Sequence, residues 1–292
     1  MEKRLFLLLV LITFSVSAQI KGIVKDSLTV KPIPFVNIWV QNENIGSTSE
    51  ENGTFFINVN AKGKKLIFST LGFEKKIIMA SEVLDVNLKP AAYLLNEVII
   101  SKSIGTKSIE IGKAKNEMYQ AFDNGPKIDT KFFPYLSSYK KTQYLKQVSI
   151  YTDSKIDEAV IKIHFYNVDS NGFPGEELLD KDFVVTVKKG TRTNRFDLSK
   201  FNLKFPKKGL FVGFEKLMIE KNKVEKTVID SNTKLTQIQK TYYPFVLYNY
   251  VEREFLYTFS GGKWSKKTKE NDSDASGKMM INEPVITLIL TN

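Results

Sequence analysis

The run AVIKIHFYNV, residues 159–168, sets the terms for the whole chain. Successive side chains of an extended strand point to opposite faces. Ile161, Ile163 and Phe165 therefore share one face, and Lys162, His164 and Tyr166 share the other. Short runs of this kind recur throughout the sequence, separated by Gly, Asn and Pro, and no apolar period of 3.6 residues persists. The pattern predicts an all-β chain. Lys162 and His164 are expected on a solvent-facing side or rim.

The first eighteen residues read differently. Lys3 and Arg4 precede an apolar run from Leu5 to Phe14, and Val16-Ser17-Ala18 offers the small-x-small pattern of a signal peptidase site. The run is short of the roughly 20 apolar residues that span a bilayer. The expected mature chain starts near Gln19 and carries no transmembrane segment. The sequence holds no cysteine, so neither disulfides nor an acylated cysteine can serve it. Export without cysteine suits a bacterial envelope protein held by its core alone, in the periplasm, at the outer-membrane periphery or on the cell surface. Net charge is +11. Export argues against nucleic acid as the partner of that charge and favours an anionic surface polysaccharide or lipid headgroups. The partner expected for the protein is another envelope protein or a surface polysaccharide.

Residues 20–100 contain the runs GIVKD (22–26), KPIPFVNIWV (31–40), GSTSEENGTFFINV (46–59), LIFSTLGFEKK (66–76), DVNLKP (85–90) and LLNEVII (94–100). In this order they resemble the carboxypeptidase regulatory-like domain. The resemblance implies a transthyretin-like seven-stranded sandwich of a kind abundant in envelope proteins of Bacteroidota. It implies no peptidase activity, because the domain is an accessory on many unrelated proteins. Within it, Glu50 and Glu51 are expected at a solvated hairpin tip, with Asn52-Gly53 supplying the positive φ of the turn. Trp39 is expected in packing.

Residues 101–131 are rich in Lys, Ser and Gly and predict a basic linker, with one possible helical piece at KAKNEMYQAF. From 132 to 292 the strand pattern returns, with eight or nine runs that fit a larger jelly-roll-like β-sandwich. The runs IKIHFYNVDSNGFPGEELL and KKGLFVGFEKL resemble jelly-roll domains that follow this module in short envelope proteins. The expected division is thus 1–18, 19–100, 101–131 and 132–292.

Chemistry is sparse in the sequence. One histidine and no cysteine cannot build a zinc site, and no G-x-S-x-G elbow accompanies His164. No metal, cofactor or catalytic residue is assigned. A glycosidase needs only two carboxylates, and Asp157, Glu158, Asp169, Glu176, Glu177 and Glu215 stand nearest the strands of the second half. Asp169, Asn171 and Glu176 or Glu177 could offer oxygens to calcium, though Asn-Gly and Pro-Gly also suit a plain strand connection. The run YYPFVLYNY has five aromatics in nine residues. Tyr242, Tyr243, Tyr248, Tyr250 and Trp264 are the candidate ligand-binding residues, as an exposed platform on which sugar rings would stack. Three functions follow: a non-enzymatic envelope protein that meets another envelope component, a carbohydrate-binding envelope protein, and, last, a glycoside hydrolase.

Overall fold

The computed structural model describes residues 19–82, 85–91, 106–113, 119–122, 125–229, 235–268 and 281–292. The expected signal segment and the run LLNEVII lie outside them. Among the described residues there are strands and short 3₁₀ turns, with no α-helix.

The first unit has strands β1 (Gln19–Asp26), β2 (Asn37–Val40), β3 (Gly46–Thr48), β4 (Thr54–Asn58), β5 (Lys65–Ser69), β6 (Lys76–Met79) and β7 (Asp85–Leu88). They form two sheets, ordered β4-β1-β7 and β3-β2-β5-β6, with β1 and β7 parallel. Alternation decides which residues go inside. Phe55 and Ile57 of β4, and Val86 and Leu88 of β7, meet Ile38, Val40, Leu66 and Phe68 in one apolar core. Phe55 and Phe68 meet edge to face at 5.4 Å, one from each sheet. Each large apolar side chain so withdrawn from water contributes about 1.5–3 kcal/mol.

The segment 46–59 corrects one expectation. Gly53 does adopt a positive φ of 76°, but β3 and β4 pair in different sheets. The acidic turn is a crossover between sheets and not a hairpin tip. Ser47 Oγ donates to Phe56 O at 2.7 Å across it. Within the turn 49–53 Glu51 and Asn52 face water, whereas Thr48 and Glu50 are turned toward the second unit.

The second unit comprises β8 (Ser108–Ile111), β9 (Tyr119–Ala121), β10 (Ile128–Phe133), β11 (Tyr144–Ser154), β12 (Ala159–Val168), β13 (Pro174–Glu177), β14 (Phe183–Val187), β15 (Gly190–Asp197) and β16 (Leu210–Lys216). It continues with β17 (Lys223–Ile229), β18 (Thr236–Tyr242), β19 (Phe245–Val251), β20 (Leu256–Ser260), β21 (Lys263–Lys266), β22 (Ile281–Pro284) and β23 (Ile286–Thr291). One seven-stranded sheet, here the front sheet, runs β13-β12-β16-β10-β20-β21, with β14 also on β12. The back sheet runs β22-β19-β11-β23-β8, with β15 on β11 and β9 on β19. Ile161, Ile163, Phe165, Val212 and Phe214 of the front sheet pack on Val148, Ile150, Ile286, Leu288 and Leu290 of the back sheet. The unit is a two-sheet sandwich, and β17–β18 form a separate two-stranded ribbon.

Two expectations about organisation change. Residues 101–131 are not simply a linker: β8 pairs with β23, β9 with β19, and β10 sits between β16 and β20. The described part of the expected helical piece, Tyr119–Ala121, is strand. The apolar pattern of β10 is masked because Asp129 and Lys131 are buried in it, each paired internally. The strand count also exceeds eight or nine. The run EREFLYTFSGGKW is a hairpin, β20–β21, turned at Gly261 and Gly262, whose φ values are 59° and 92°. DSNGFPGEELL contains β13 as well as a turn.

Candidate functional site

The outward face of the front sheet is where the sequence placed Lys162, His164 and Tyr166, and all three are buried, with Lys162 only 1% and His164 6% exposed. The first sandwich covers them. This corrects the expectation of a surface histidine. Its basis is visible in β2, which is buried along its whole length. Ile38 and Val40 enter the core of their own sandwich. Asn37 and Trp39 point the other way, into the second unit: Asn37 Nδ2 donates to Glu215 Oε2 at 2.9 Å, and Trp39 meets Phe259 edge-on at 5.9 Å.

Sheet register assembles the site. In the antiparallel pair β12–β16, Lys162 stands opposite Glu215, and His164 opposite Gly213. Cross-strand partners share a face, so Glu215 lies beside both cations. On the other flank β13 brings Glu177 level with Tyr166. The imidazole is held from both sides, with Nδ1 2.5 Å from Glu177 Oε1 and Nε2 3.1 Å from Glu215 Oε2. Glu177 Oε2 also accepts from the backbone N–H of Phe165 at 3.2 Å. Lys162 Nζ pairs with Asp182 Oδ2 at 2.9 Å and donates to Phe35 O of the first sandwich at 2.5 Å. Asp182 in turn accepts from Thr70 Oγ1, again of the first sandwich, at 3.0 Å.

The electrostatics follow from this packing. Burial by itself would lower the pKa of His164. The charges and hydrogen bonds of Glu177 and Glu215 outweigh it and raise the value from 6.5 to about 10. His164 is therefore an imidazolium at neutral pH. Lys162 is likewise opposed by burial, yet Glu215, Asp182 and Glu177 hold its pKa above the usual lysine value. Burial first, then Glu177 and Glu215, push the Tyr166 hydroxyl well above its usual value, so it stays neutral. Its ring stacks on His164 with centroids 5.5 Å apart and planes 9° from parallel. Two cations thus sit among three carboxylates. Chemically this is a closed charge cluster that positions two sandwiches, because both units supply its hydrogen bonds.

The rest of the contact repeats that logic. Phe35 packs with Val160, Leu217 and Ile219. Thr48 Oγ1 accepts from Met218 N at 3.1 Å and Glu50 Oε1 from Glu220 N at 2.9 Å. Gly261 O accepts from Asn42 N at 3.0 Å, and a Cβ on Gly261 would stand 3.1 Å from both Glu43 N and Glu43 O. A side chain there would push Glu43 back by a few tenths of an ångström and would sit on a positive φ of 59°, so glycine suits this contact.

The residues expected to act from the sequence have these positions. Glu177 and Glu215 come together, on either side of one histidine. Asp157 and Glu158 are exposed at the β11–β12 turn, and Glu176 is exposed on β13. Asp169 closes the β12–β13 turn, its Oδ1 accepting from Asn171 N and Phe173 N, both at 2.8 Å. Glu177 is committed to His164, and Asp169 Oδ1 to the amides of its own turn. Among the described residues no group of three or more His, Cys, Asp or Glu is placed to hold a metal ion. The five aromatics do not form an exposed platform. Tyr243 is 4% and Tyr248 3% exposed. Tyr243 packs on Phe245 with centroids 4.8 Å apart, and the Tyr248 hydroxyl donates to Asp129 Oδ2. Tyr242 and Tyr250 are half-buried on separate strands. Trp264, also half-buried, meets Tyr166 and Phe259 edge-on at 5.5 and 5.2 Å. The physical reason is that most of this run, from Phe245 onward, enters the sandwich as β19, and Tyr243, Phe245 and Tyr248 serve the core. Missed at the sequence level were Lys162, Asp182 and Asn37. The available signal was a lysine and a histidine inside an otherwise apolar run, since strands covered on both faces read as near-continuous apolar stretches.

Residues 20–100 match the family model of the CarboxypepD_reg-like domain. The first sandwich is a CarboxypepD_reg-like domain. No curated protein and no solved structure matches the chain significantly. The match ends where the second sandwich begins, so every partner that the CarboxypepD_reg-like domain meets through Asn37, Trp39, Phe35 and Thr70 comes from a unit with no counterpart in the comparisons. Among the described residues no helix is long and apolar enough to cross a membrane.

Proposed function

We propose that this chain is an exported, non-enzymatic protein of the cell envelope. Its CarboxypepD_reg-like domain acts as a fixed buttress, and the second sandwich meets another envelope component. The observation that supports this reading is the closed cluster of Lys162, His164, Glu177, Asp182 and Glu215. The two carboxylates nearest a histidine are tied to it, and Glu215 also accepts from Asn37 of the first sandwich, so both have an evident structural use. Buried ion pairs of this kind add little net stability but penalise any arrangement that leaves one partner alone. They therefore favour one mutual placement of two domains over all others.

The test has two parts. Fractionation of the native cells, followed by crosslinking and affinity recovery, is expected to place the chain in the envelope with a second envelope component attached. Assay of the purified chain against a panel of nitrophenyl glycosides is expected to give no turnover. Turnover that disappears in Glu215→Gln or Glu177→Gln would replace this reading with a hydrolase.

A further inference from the structure

The opposite side of the second sandwich carries a cleft that the charge cluster does not use. Its volume is ≈ 350 Å³, within the range of small-ligand clefts, about 300–1,000 Å³. The back sheet provides its floor. Val148, Ile150, Leu288 and Leu290 face the core, so Gln147, Ser149 and Tyr151 of β11, and Thr287 and Ile289 of β23, face out. Register aligns them in rows. Arg195 of β15 stands opposite Ser149, which stands opposite Thr287; Thr193 stands opposite Tyr151; Gln147 stands opposite Ile289, and Ile289 opposite Glu110 of β8. All of these residues line the cleft, as do Asn249, Lys131 and Glu283. Four strands at a spacing of about 4.8 Å make a floor about 14 Å wide.

Three features of this lining point to a ligand. The first is its chemistry: amides and hydroxyls in regular rows, with one tyrosine ring, form a dense field of alternating donors and acceptors. The second is Asn249. Its side chain is 4% exposed, and its amide oxygen has no hydrogen-bond partner among the described residues, an arrangement that needs a reason in a native protein. The third is charge. Glu283 is shared by two cations, Lys131 at 2.7 Å and Arg253 through two contacts at 2.6 and 2.8 Å. Glu110 and Lys113 cancel at 2.7 Å. Arg195 is exposed and makes no ion pair among the described residues. The cleft is thus biased toward positive charge, with its one open guanidinium on the wall. A guanidinium is the natural fork for a carboxylate.

We infer that the back-sheet cleft binds a short stretch of an acidic polysaccharide, its hydroxyls on the rows of Gln147, Ser149, Thr287 and Asn249 and a uronate carboxylate on Arg195. The inference deepens the envelope-binding reading by naming the class of component, and it concerns a face remote in register from the charge cluster. It also differs from the aromatic-platform expectation, since Tyr151 is the single aromatic in the lining.

The test is calorimetric titration of the purified full chain with tetragalacturonate, with its methyl ester as a neutral twin, and with inorganic sulfate as a bare anion. Binding of tetragalacturonate is expected, at least tenfold weaker for the ester and absent for sulfate at equal concentration. Arg195→Ala is expected to remove the preference for the acid over the ester. Thr193→Trp, an exposed position on the cleft wall, is expected to block both, while Lys200→Ala outside the cleft changes neither. Because Arg195 and Thr193 are exposed, their variants should melt as the parent does, so lost binding reads as a lost site. Equal affinity for acid and ester, equal competition by sulfate, unaltered binding in Thr193→Trp, or no binding to either sugar would each overturn the inference. A failure here leaves recovery of a protein partner from the envelope untouched, so the two readings fail separately.

Discussion

The two outward faces of the second sandwich invite comparison, because both carry charges on strands whose other side fills the same core. On the front sheet Lys162, His164 and Glu215 are covered by the CarboxypepD_reg-like domain, and each meets its partners. On the back sheet Arg195, Thr193 and Glu110 are exposed, and the neighbouring Asn249 oxygen lacks a partner among the described residues. The sequence writes both faces in the same alternating pattern. What separates them is the presence of a second layer. A covered polar face is closed around its own charges and supplies placement, whereas an open one retains donors and acceptors for something else.

The largest expected effect tests whether the front face is truly closed. His164→Ala would leave Glu177 and Glu215 without the imidazolium between them. Removing one partner of a buried pair costs about 3–5 kcal/mol, measured by chemical denaturation. A loss below about 1 kcal/mol would mean that water reaches the cluster, and the contrast between the faces would dissolve. The same residue imposes a pH dependence. Its folded pKa, about 10, lies above the ordinary 6.5, so the folded state binds the proton more tightly. Its contribution is full below about pH 6.5 and is lost as pH rises from there to about 10. Lys131 acts in the opposite sense. Burial, only partly offset by Glu283, lowers its pKa from 10.5 to about 8, so this group destabilises below about pH 8 and the penalty fades between pH 8 and 10.5. Between pH 6.5 and 8 the His164 effect stands alone. Melting temperatures there should fall with pH in the parent, and the fall should be absent from His164→Gln.

Smaller effects sharpen the comparison further. Lys162→Met keeps the packed stem but leaves Phe35 O unpaired and Asp182 without its cation; about 1–3 kcal/mol is expected. Limited proteolysis should then cut the chain sooner than it cuts the parent. Gly261→Ala puts a Cβ against Glu43 and a side chain on a φ of 59°, with an expected cost of about 1–3 kcal/mol. The least effect belongs to the open face: Arg195→Ala should shift stability by no more than about 0.5 kcal/mol. A larger loss would show that Arg195 serves the fold, which would weaken its assignment to a ligand.

How much of this could be read beforehand depends on the range of the interaction that decides it. The first sandwich was legible, because alternation in TFFIN and DVNL and the turn at Asn52-Gly53 are local facts. The extent of the second was less so. Asp129 and Lys131 broke the apolar rhythm of β10; Lys127 beside Asp129 is visible locally, but the partners that let both be buried, Tyr248, Thr258 and Glu283, lie more than a hundred residues away. Separation along the chain also concealed the charge cluster. His164 and Glu215 were both noted, but 51 residues separate them, and only sheet register brings them together. Tyr243 and Tyr248 misled for the converse reason. Aromatic density announces a strand with much to bury as readily as it announces a surface on which sugars stack.

Strand β2 has a consequence for how this molecule can change. Accessory sandwiches of this class are read as interchangeable parts, added to or removed from larger proteins. Here four consecutive residues serve two interiors at once, Ile38 and Val40 one, Asn37 and Trp39 the other. A sandwich of the same fold with an ordinary solvent-facing β2 could not be substituted without loss, since Glu215 would lose its amide donor and Phe259 one of its two aromatic neighbours. The part has become specific to its machine, and the two must drift together.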